Sequence, residues 1–219
     1  MDYNTLETEP YVPSIQEYNN LLEYVHKHGG QHATRDTLIL LLTWGRGLRS
    51  CEALQLREWQ VTPTAIHVPR YKSKTGQNIN YVITTDFYQK IKAYIDDHKK
   101  EIASREGYLF VGSKGHIMTS SNWNWTLRHK YLDKVFNQDR RILTEKGHTF
   151  VKYTAYCGRR FYFNYIDDIL GDRYSLSDKC LLTGHKSPMT LHTFYLRKHQ
   201  TGKAQRMIQE VGLPQPLNI

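Results

Sequence analysis

Six side chains of this 219-residue sequence carry its most legible chemistry. They are Arg49 in WGRGLRSCEALQL, Lys74 in YKSKTGQ, Tyr156 and Arg159 in YTAYCGRRFYF, His185 in LLTGHKSP and Tyr195 in LHTFYLRK. No neighbouring pair makes a motif alone. Taken in order, two arginines, a lysine and a histidine are the donors that surround a phosphate, and a tyrosine hydroxyl is a nucleophile that can attack one. A phosphodiester attacked in this way passes through pentacoordinate phosphorus, with extra charge on its non-bridging oxygens. Fixed cationic donors stabilise that charge. A tyrosyl ester conserves the bond energy, so rejoining needs no ATP, and the scheme calls for no metal or other cofactor.

Each residue also has a plainer reading. Arg49 follows a buried apolar run and a Gly-x-Gly turn and stands where a new helix begins, which adds the positive end of the helix dipole to a guanidinium already suited to phosphate. Glu52, one turn on, is placed to orient it; the plain alternative is a surface Arg–Glu pair. Lys74 sits at the tip of a predicted hairpin, with Lys72 as a rival on the same face; the alternative is a solvated basic hairpin. Tyr156 is otherwise a core aromatic, and His185 a histidine stabilised by a helix end. Asp167 and Asp168 suggest magnesium, but paired acids on a helix are usually solvated or bonded to Arg or Lys. Of the eleven histidines, His185 and His192 or His26, His28 and His32 offer the closest approach to a metal set, and none has an acid at a recognisable supporting spacing.

The ordered boxes resemble the tyrosine recombinase, or phage-type integrase, family over roughly residues 14 to 198. GLRSCEALQL is similar to the family's first arginine box, Gly-Leu-Arg-x-x-Glu-x-x-x-Leu. Lys74 stands between two predicted strands, where the family lysine acts as general acid and protonates the leaving 5′ oxygen. Tyr156-Cys157-Gly158-Arg159-Arg160 resembles the His-x-x-Arg box, with Arg159 as the second phosphate arginine. Tyr156 stands where histidine is usual, and a phenol with a pKa of about 10 is a poor base at neutral pH. LLTGHKSP is similar to the family's Leu-Gly-His turn with a threonine inserted, and implies that His185 hydrogen-bonds the scissile phosphate. Tyr195 is then the nucleophile, one residue further from His185 than the family's usual spacing, where this chain has Phe194. An insertion in the turn accommodates the shift, and so does a tyrosine donated to a neighbouring subunit.

The resemblance implies a site-specific recombinase or integrase that cleaves and rejoins double-stranded DNA through a 3′-phosphotyrosine, working as a homo-oligomer, dimer or tetramer, on DNA. Two other readings share the residues: strand relaxation of the type IB topoisomerase kind, and a non-catalytic DNA-binding derivative, favoured by the shifted spacing and the missing box histidine. The separate N-terminal helical domain that most family members use to clamp DNA is not in the sequence, so the expectation is a minimal enzyme or a catalytic fragment.

The elements that must position these residues read as follows. Residues 1–13 form an arm or linker, 14–198 a catalytic domain, and 199–219 a tail with a short amphipathic stretch suited to a subunit contact. Ser14 and Glu17 make a capping box for a helix with Ile15, Tyr18, Leu21, Leu22 and Val25 on one stripe. A second helix, about 33–44, is apolar almost all round and belongs in the core. Between 59 and 84 the period changes, predicting three short antiparallel strands, the last two joined around Lys74-Thr75-Gly76. Asp86 is placed to cap the next helix, to about His98. Tyr108 to Val111 reads as a short buried extended segment. A helix from Ser120 or Ser121 follows, with Trp123, Trp125, Leu127, Tyr131, Leu132 and Val135. Residues 137–152 read as a polar, basic loop, and helices follow at about 154–169, 177–184 and 187–198. The fold class expected is α+β: a mostly helical domain with a small three-stranded antiparallel sheet.

Composition agrees. The formal charge is +9, which favours an anionic partner such as nucleic acid. Three scattered cysteines form no metal or disulfide framework and suit a reducing cytoplasm. The N-terminus lacks a secretory pattern, and no apolar run nears the roughly 18 residues of a membrane span, so no membrane partner is expected.

Overall fold

The computed structural model describes residues 11–69, 76, 78–112, 115–136, 141–143, 149–151, 153–185 and 187–195, with the backbone alone for 141–143, 149–151 and 192–195. Helix α1 (Ile15–His28) opens with the expected capping box: the Glu17 amide donates to Ser14 Oγ at 3.2 Å and the Ser14 amide to Glu17 Oε2 at 2.7 Å. Tyr18, Leu21 and Val25 face inward, but Ile15, in the first turn, is 49% exposed. Helix α2 (Ala33–Thr43) packs against α1 and is the buried spine, with Leu38, Ile39, Leu40 and Leu42 nearly inaccessible. The short α3 (Ser50–Leu54) follows the Trp44–Leu48 loop.

The strand region departs from expectation. Only β1 (Ala65–Val68) and β2 (Ile79–Val82) pair, antiparallel, with Ala65 opposite Val82 and Val68 opposite Ile79. The expected first strand is instead a 3-10 turn, Glu58–Gln60, followed by one isolated bridge between Val61 and Ile66. Local hydrogen bonds outcompete a ladder there. The Arg57 amide donates to Gln60 Oε1 at 2.8 Å, and the Thr62 hydroxyl and the Ala65 backbone bond each other around Pro63, which has no N–H to give a strand. A second correction concerns residues 137–152. The expected loop contains a two-stranded antiparallel pair, β3 (Arg141–Leu143) and β4 (Thr149–Val151), whose Ile142 and Phe150 face each other in register. Short runs of β-formers outweighed the polar composition around them.

Helix α4 (Thr85–Asp97) is capped by Thr84, not Asp86. Thr84 is extended and its hydroxyl accepts from the Phe87 amide, while Asp86 lies in the first turn. After α5 (Lys99–Ala103), residues Leu109, Phe110 and Val111 form the expected buried extended segment. Helix α6 (Ser120–Thr126) runs on into a π-helical stretch, Leu127–Leu132, and α7 (Asp133–Val135). Trp123, Leu127 and Tyr131 take the inward face, which leaves Trp125 on the other side at 65% exposure. The last helices are α8 (Cys157–Leu170), α9 (Leu176–Thr183) and α10 (Pro188–Tyr195), and α10 lies against α8 and α9. Among the described residues no helix is long and apolar enough to cross a membrane.

A buried polar junction locks α2 to the elements around it. Asp36, fully inaccessible, accepts from Arg35 Nε at 2.8 Å and from the Tyr131 hydroxyl at 2.5 Å, and Arg35 Nη1 reaches the Val111 carbonyl at 2.6 Å. Removing one member of a buried pair strands the other charge. Asp36→Ala is therefore expected to lower folding stability by about 3–5 kcal/mol in a denaturant titration; a loss indistinguishable from a surface substitution would show that the junction does not hold the core.

Candidate active site

Three segments separated in sequence converge behind α3. The first is the Trp44–Leu48 loop with Arg49. Gly47 has φ +70°, and a Cβ there would come within 2.5 Å of the Tyr162 ring, so both the turn and the packing require glycine. The turn aims the Gly47 carbonyl at α8 and delivers Arg49 in extended conformation as the N-cap of α3. Glu52 folds back on it: the carboxylate accepts from Arg49 Nη1 at 2.8 Å through Oε1 and from the Arg49 amide at 3.0 Å through Oε2. Glu52 is 1% exposed, whereas the Arg49 side chain keeps 17% of its surface. One edge of the guanidinium is held, and part of the side chain stays accessible to a ligand.

The second segment is the start of α8. Gly158 lies flush on Trp44, where a Cβ would overlap the indole, and Arg159 follows it, 2% exposed. Arg159 Nη1 donates to the Gly47 carbonyl, its guanidinium stacks over the Phe163 ring at 4.7 Å, and its Nη2 lies 3.4 Å from His185 Nε2. The third segment is the α9 C-terminus. Gly184, left-handed at φ +66°, ends the helix and turns His185 back toward the arginines. His185 Nδ1 meets Thr183 Oγ1 at 2.9 Å, and its ring sits edge-on to Phe163.

These contacts assign a tautomer. A guanidinium only donates, so Nε2 accepts from Arg159, and Nδ1 carries the proton and donates to Thr183. The ring is held neutral: burial first, then the charges of Arg159 and Arg49, push its pKa from 6.5 down to about 3. The whole cluster contains two guanidiniums, a neutral imidazole and the Glu52 carboxylate, an arrangement that favours an entering anion.

The other expected site residues stand as follows. Tyr156 is the residue before α8 and is 47% exposed, with the Arg160 guanidinium over its ring at 5.2 Å, so it is a surface group and not a core aromatic. Tyr195 ends α10, and only its backbone is described. Lys74 and its rival Lys72 lie outside the described residues. Asp167 is bonded to Lys179 at 2.5 Å. The site also includes residues that sequence reasoning missed. Thr183, read as an insertion, is the partner of His185. Tyr81 donates to Glu52 Oε2 at 2.9 Å and is 2% exposed. Its position on the inward face of an alternating strand was a usable signal, since a buried tyrosine hydroxyl needs a partner.

The depressed histidine has a consequence for stability. The unfolded chain binds a proton at His185 as pH falls through about 6.5, while the folded chain stays neutral until about 3. Stability therefore declines over that window as pH falls. The denaturation midpoint is expected to fall less steeply between those limits in His185→Gln than in the wild type; equal slopes would mean that the imidazole is not held neutral.

No curated protein matches the chain. Among solved structures, the XerH site-specific recombinase bound to its palindromic difH substrate, in a post-cleavage complex, superposes with TM-score 0.69 at 18% identity over 95% of this chain and 56% of that one. The XerA recombinase gives 0.65 at 18% over 95% and 68%, and the catalytic domain of bacteriophage HP1 integrase gives 0.54 at 12% over 90% and 95%. The chain thus spans little more than half the length of the XerH chain. These likenesses establish the fold, that of tyrosine recombinase catalytic domains. The model of the phage integrase family matches residues 14–135, more than half of the sequence, and the chain belongs to that family of tyrosine recombinases.

Proposed function

We propose that this protein is a site-specific DNA recombinase or integrase that cleaves and rejoins double-stranded DNA through a 3′-phosphotyrosine at Tyr195. The supporting observation is that Arg49, Arg159 and His185, 136 positions apart in sequence from first to last, form one electropositive cluster with a part-open guanidinium. That donor set suits the charge on a phosphoryl transition state.

In this reading a scissile phosphate enters beside Arg49 and takes hydrogen bonds from both guanidiniums. The Tyr195 oxygen attacks phosphorus, the bond to the 5′ oxygen breaks, and Lys74 protonates the leaving oxygen. The His185 Nε2 accepts from Arg159 in the free protein, so it must gain a proton before it can donate to a phosphate oxygen. The proton released by the tyrosine is available at that step. Tyr156 contributes a hydrogen bond and not a base, since its phenol stays protonated at neutral pH. Residues 14–198 form the catalytic domain. Exchange between two duplexes needs more than one nucleophile, so the protein works as a homo-oligomer on DNA, with the tail from 199 as a subunit contact.

Incubation with a pool of nicked suicide duplexes of randomised sequence is expected to yield a denaturant-resistant protein–DNA adduct mapping to Tyr195. Tyr195→Phe, which removes only the attacking oxygen, should abolish the adduct and leave duplex binding nearly intact. An adduct that persists in Tyr195→Phe names the wrong nucleophile, and no adduct in the wild type favours a DNA-binding derivative. Relaxation of supercoils without exchange between paired sites would point to topoisomerase chemistry. Duplex affinity should also fall steeply, linearly in log–log form, as salt rises; salt-independent binding would contradict a phosphate-based interface.

A further inference from the structure

We infer that Tyr81 is a positioning residue: its buried hydroxyl, carried on β2, completes the hydrogen-bonded hub at Glu52 that aims Arg49 at the phosphate. This rests on the recombinase reading and adds to it a residue outside the six side chains singled out in the sequence.

The alternation of β2 turns Ile79 and Tyr81 inward and leaves Asn80 and Val82 outside. Phenylalanine would fill that inward position equally well as an apolar group. The tyrosine hydroxyl instead has a charged partner. It donates to Glu52 Oε2, the same oxygen that accepts the Arg49 amide, and Glu52 Oε1 holds Arg49 Nη1. Arg159 lies within electrostatic range of the phenol. A phenol donates to a carboxylate, so the order is Tyr81 to Glu52, with the Arg49 amide and guanidinium donating into the same carboxylate. Bonds in such a chain polarise one another, and the buried setting makes each depend on the next. The ring supports a third element. A Cβ on Gly184 would lie 2.8 Å from Ile79 Cγ2 and 3.5 Å from the Tyr81 Cζ and hydroxyl oxygen, so the residue that aims His185 packs over the inward face of β2. The strand itself directly follows the segment that carries Lys74. One phenol therefore bonds the support of Arg49 and lies beside the turn that carries His185.

The test uses a nicked duplex recovered from the randomised pool and the full-length chain. Tyr81→Phe keeps the ring and loses the hub. It is expected to slow single-turnover adduct formation by about 10–100-fold, since misplacement of a positioning group by about 1 Å costs on that order. Duplex affinity should stay near the wild-type value, because the bulk phosphate contacts are untouched. The discriminating readout is a duplex whose scissile phosphate is a methylphosphonate. One charged oxygen is then a methyl group, and the arginines have less charge to meet. The gap between Tyr81→Phe and wild type should shrink to about threefold or less, as expected when the lost term is aimed at phosphate charge. A merely structural defect would persist unchanged on both duplexes. Glu52→Gln reads the same hub from its other end and should show the same pattern, which keeps the test valid if Tyr81→Phe folds poorly. Wild-type cleavage with Tyr81→Phe at the wild-type rate, or an undiminished gap on the methylphosphonate, overturns the positioning role and leaves the recombinase reading intact. Absence of an adduct in the wild type removes both.

Discussion

Glu52 is a carboxylate taken almost wholly out of water, and a buried charge is tolerated only where it is paired and fully hydrogen-bonded. Its partners come from three places: the Arg49 side chain and amide, and the Tyr81 hydroxyl. Meeting that requirement fixes the start of α3, the face of β2 and the direction of one guanidinium together. Arg159 is held by a parallel constraint. It is more deeply buried than Arg49, and it is directed by a carbonyl that only a left-handed glycine at 47 can present. Two cations that would otherwise repel are thus held by separate acceptors, Arg49 by the Glu52 carboxylate and Arg159 by the Gly47 carbonyl.

The electrostatics follow from this arrangement. A cluster with more guanidinium than carboxylate charge is poorly compensated without an anion, and phosphate is the anion whose geometry a planar guanidinium fork matches. Burial first, and then the same positive field, keeps His185 neutral in the free protein. An arriving phosphate would offset the field of both arginines and let the imidazole accept a proton as charge builds on phosphorus.

Much of the site was legible because its parts are local. Arg49 and Glu52 are one helical turn apart, and their pairing can be read from spacing alone. The Gly-x-Gly turn before Arg49 and the glycine before His185 announce changes of direction, and both are left-handed or closely packed in the structure. The helical frame was legible from periodicity, including the capping box at Ser14. What spacing could not reveal were the long-range partners. Tyr81 reaches Glu52 across 29 positions, and nothing in the local sequence of either names the other. Thr183 read as an insertion because its hydroxyl has meaning only once His185 is turned back over it. The third strand failed for a similar reason: Gln60 and Thr62 satisfied their backbone neighbours locally, a competition that β-propensity does not register. Over 141–151 the error ran the other way, where two short runs of β-formers paired despite polar flanks.

The central claim is that Arg49 and Arg159 act as one unit on one phosphate. Single-turnover adduct formation by Arg49→Ala, Arg159→Ala and the double variant tests it most directly. Groups that act as a unit are non-additive, so either single substitution should cost nearly as much as both. Losses that simply multiply in the double variant would show that the two arginines serve separate ends, and would contradict a shared site.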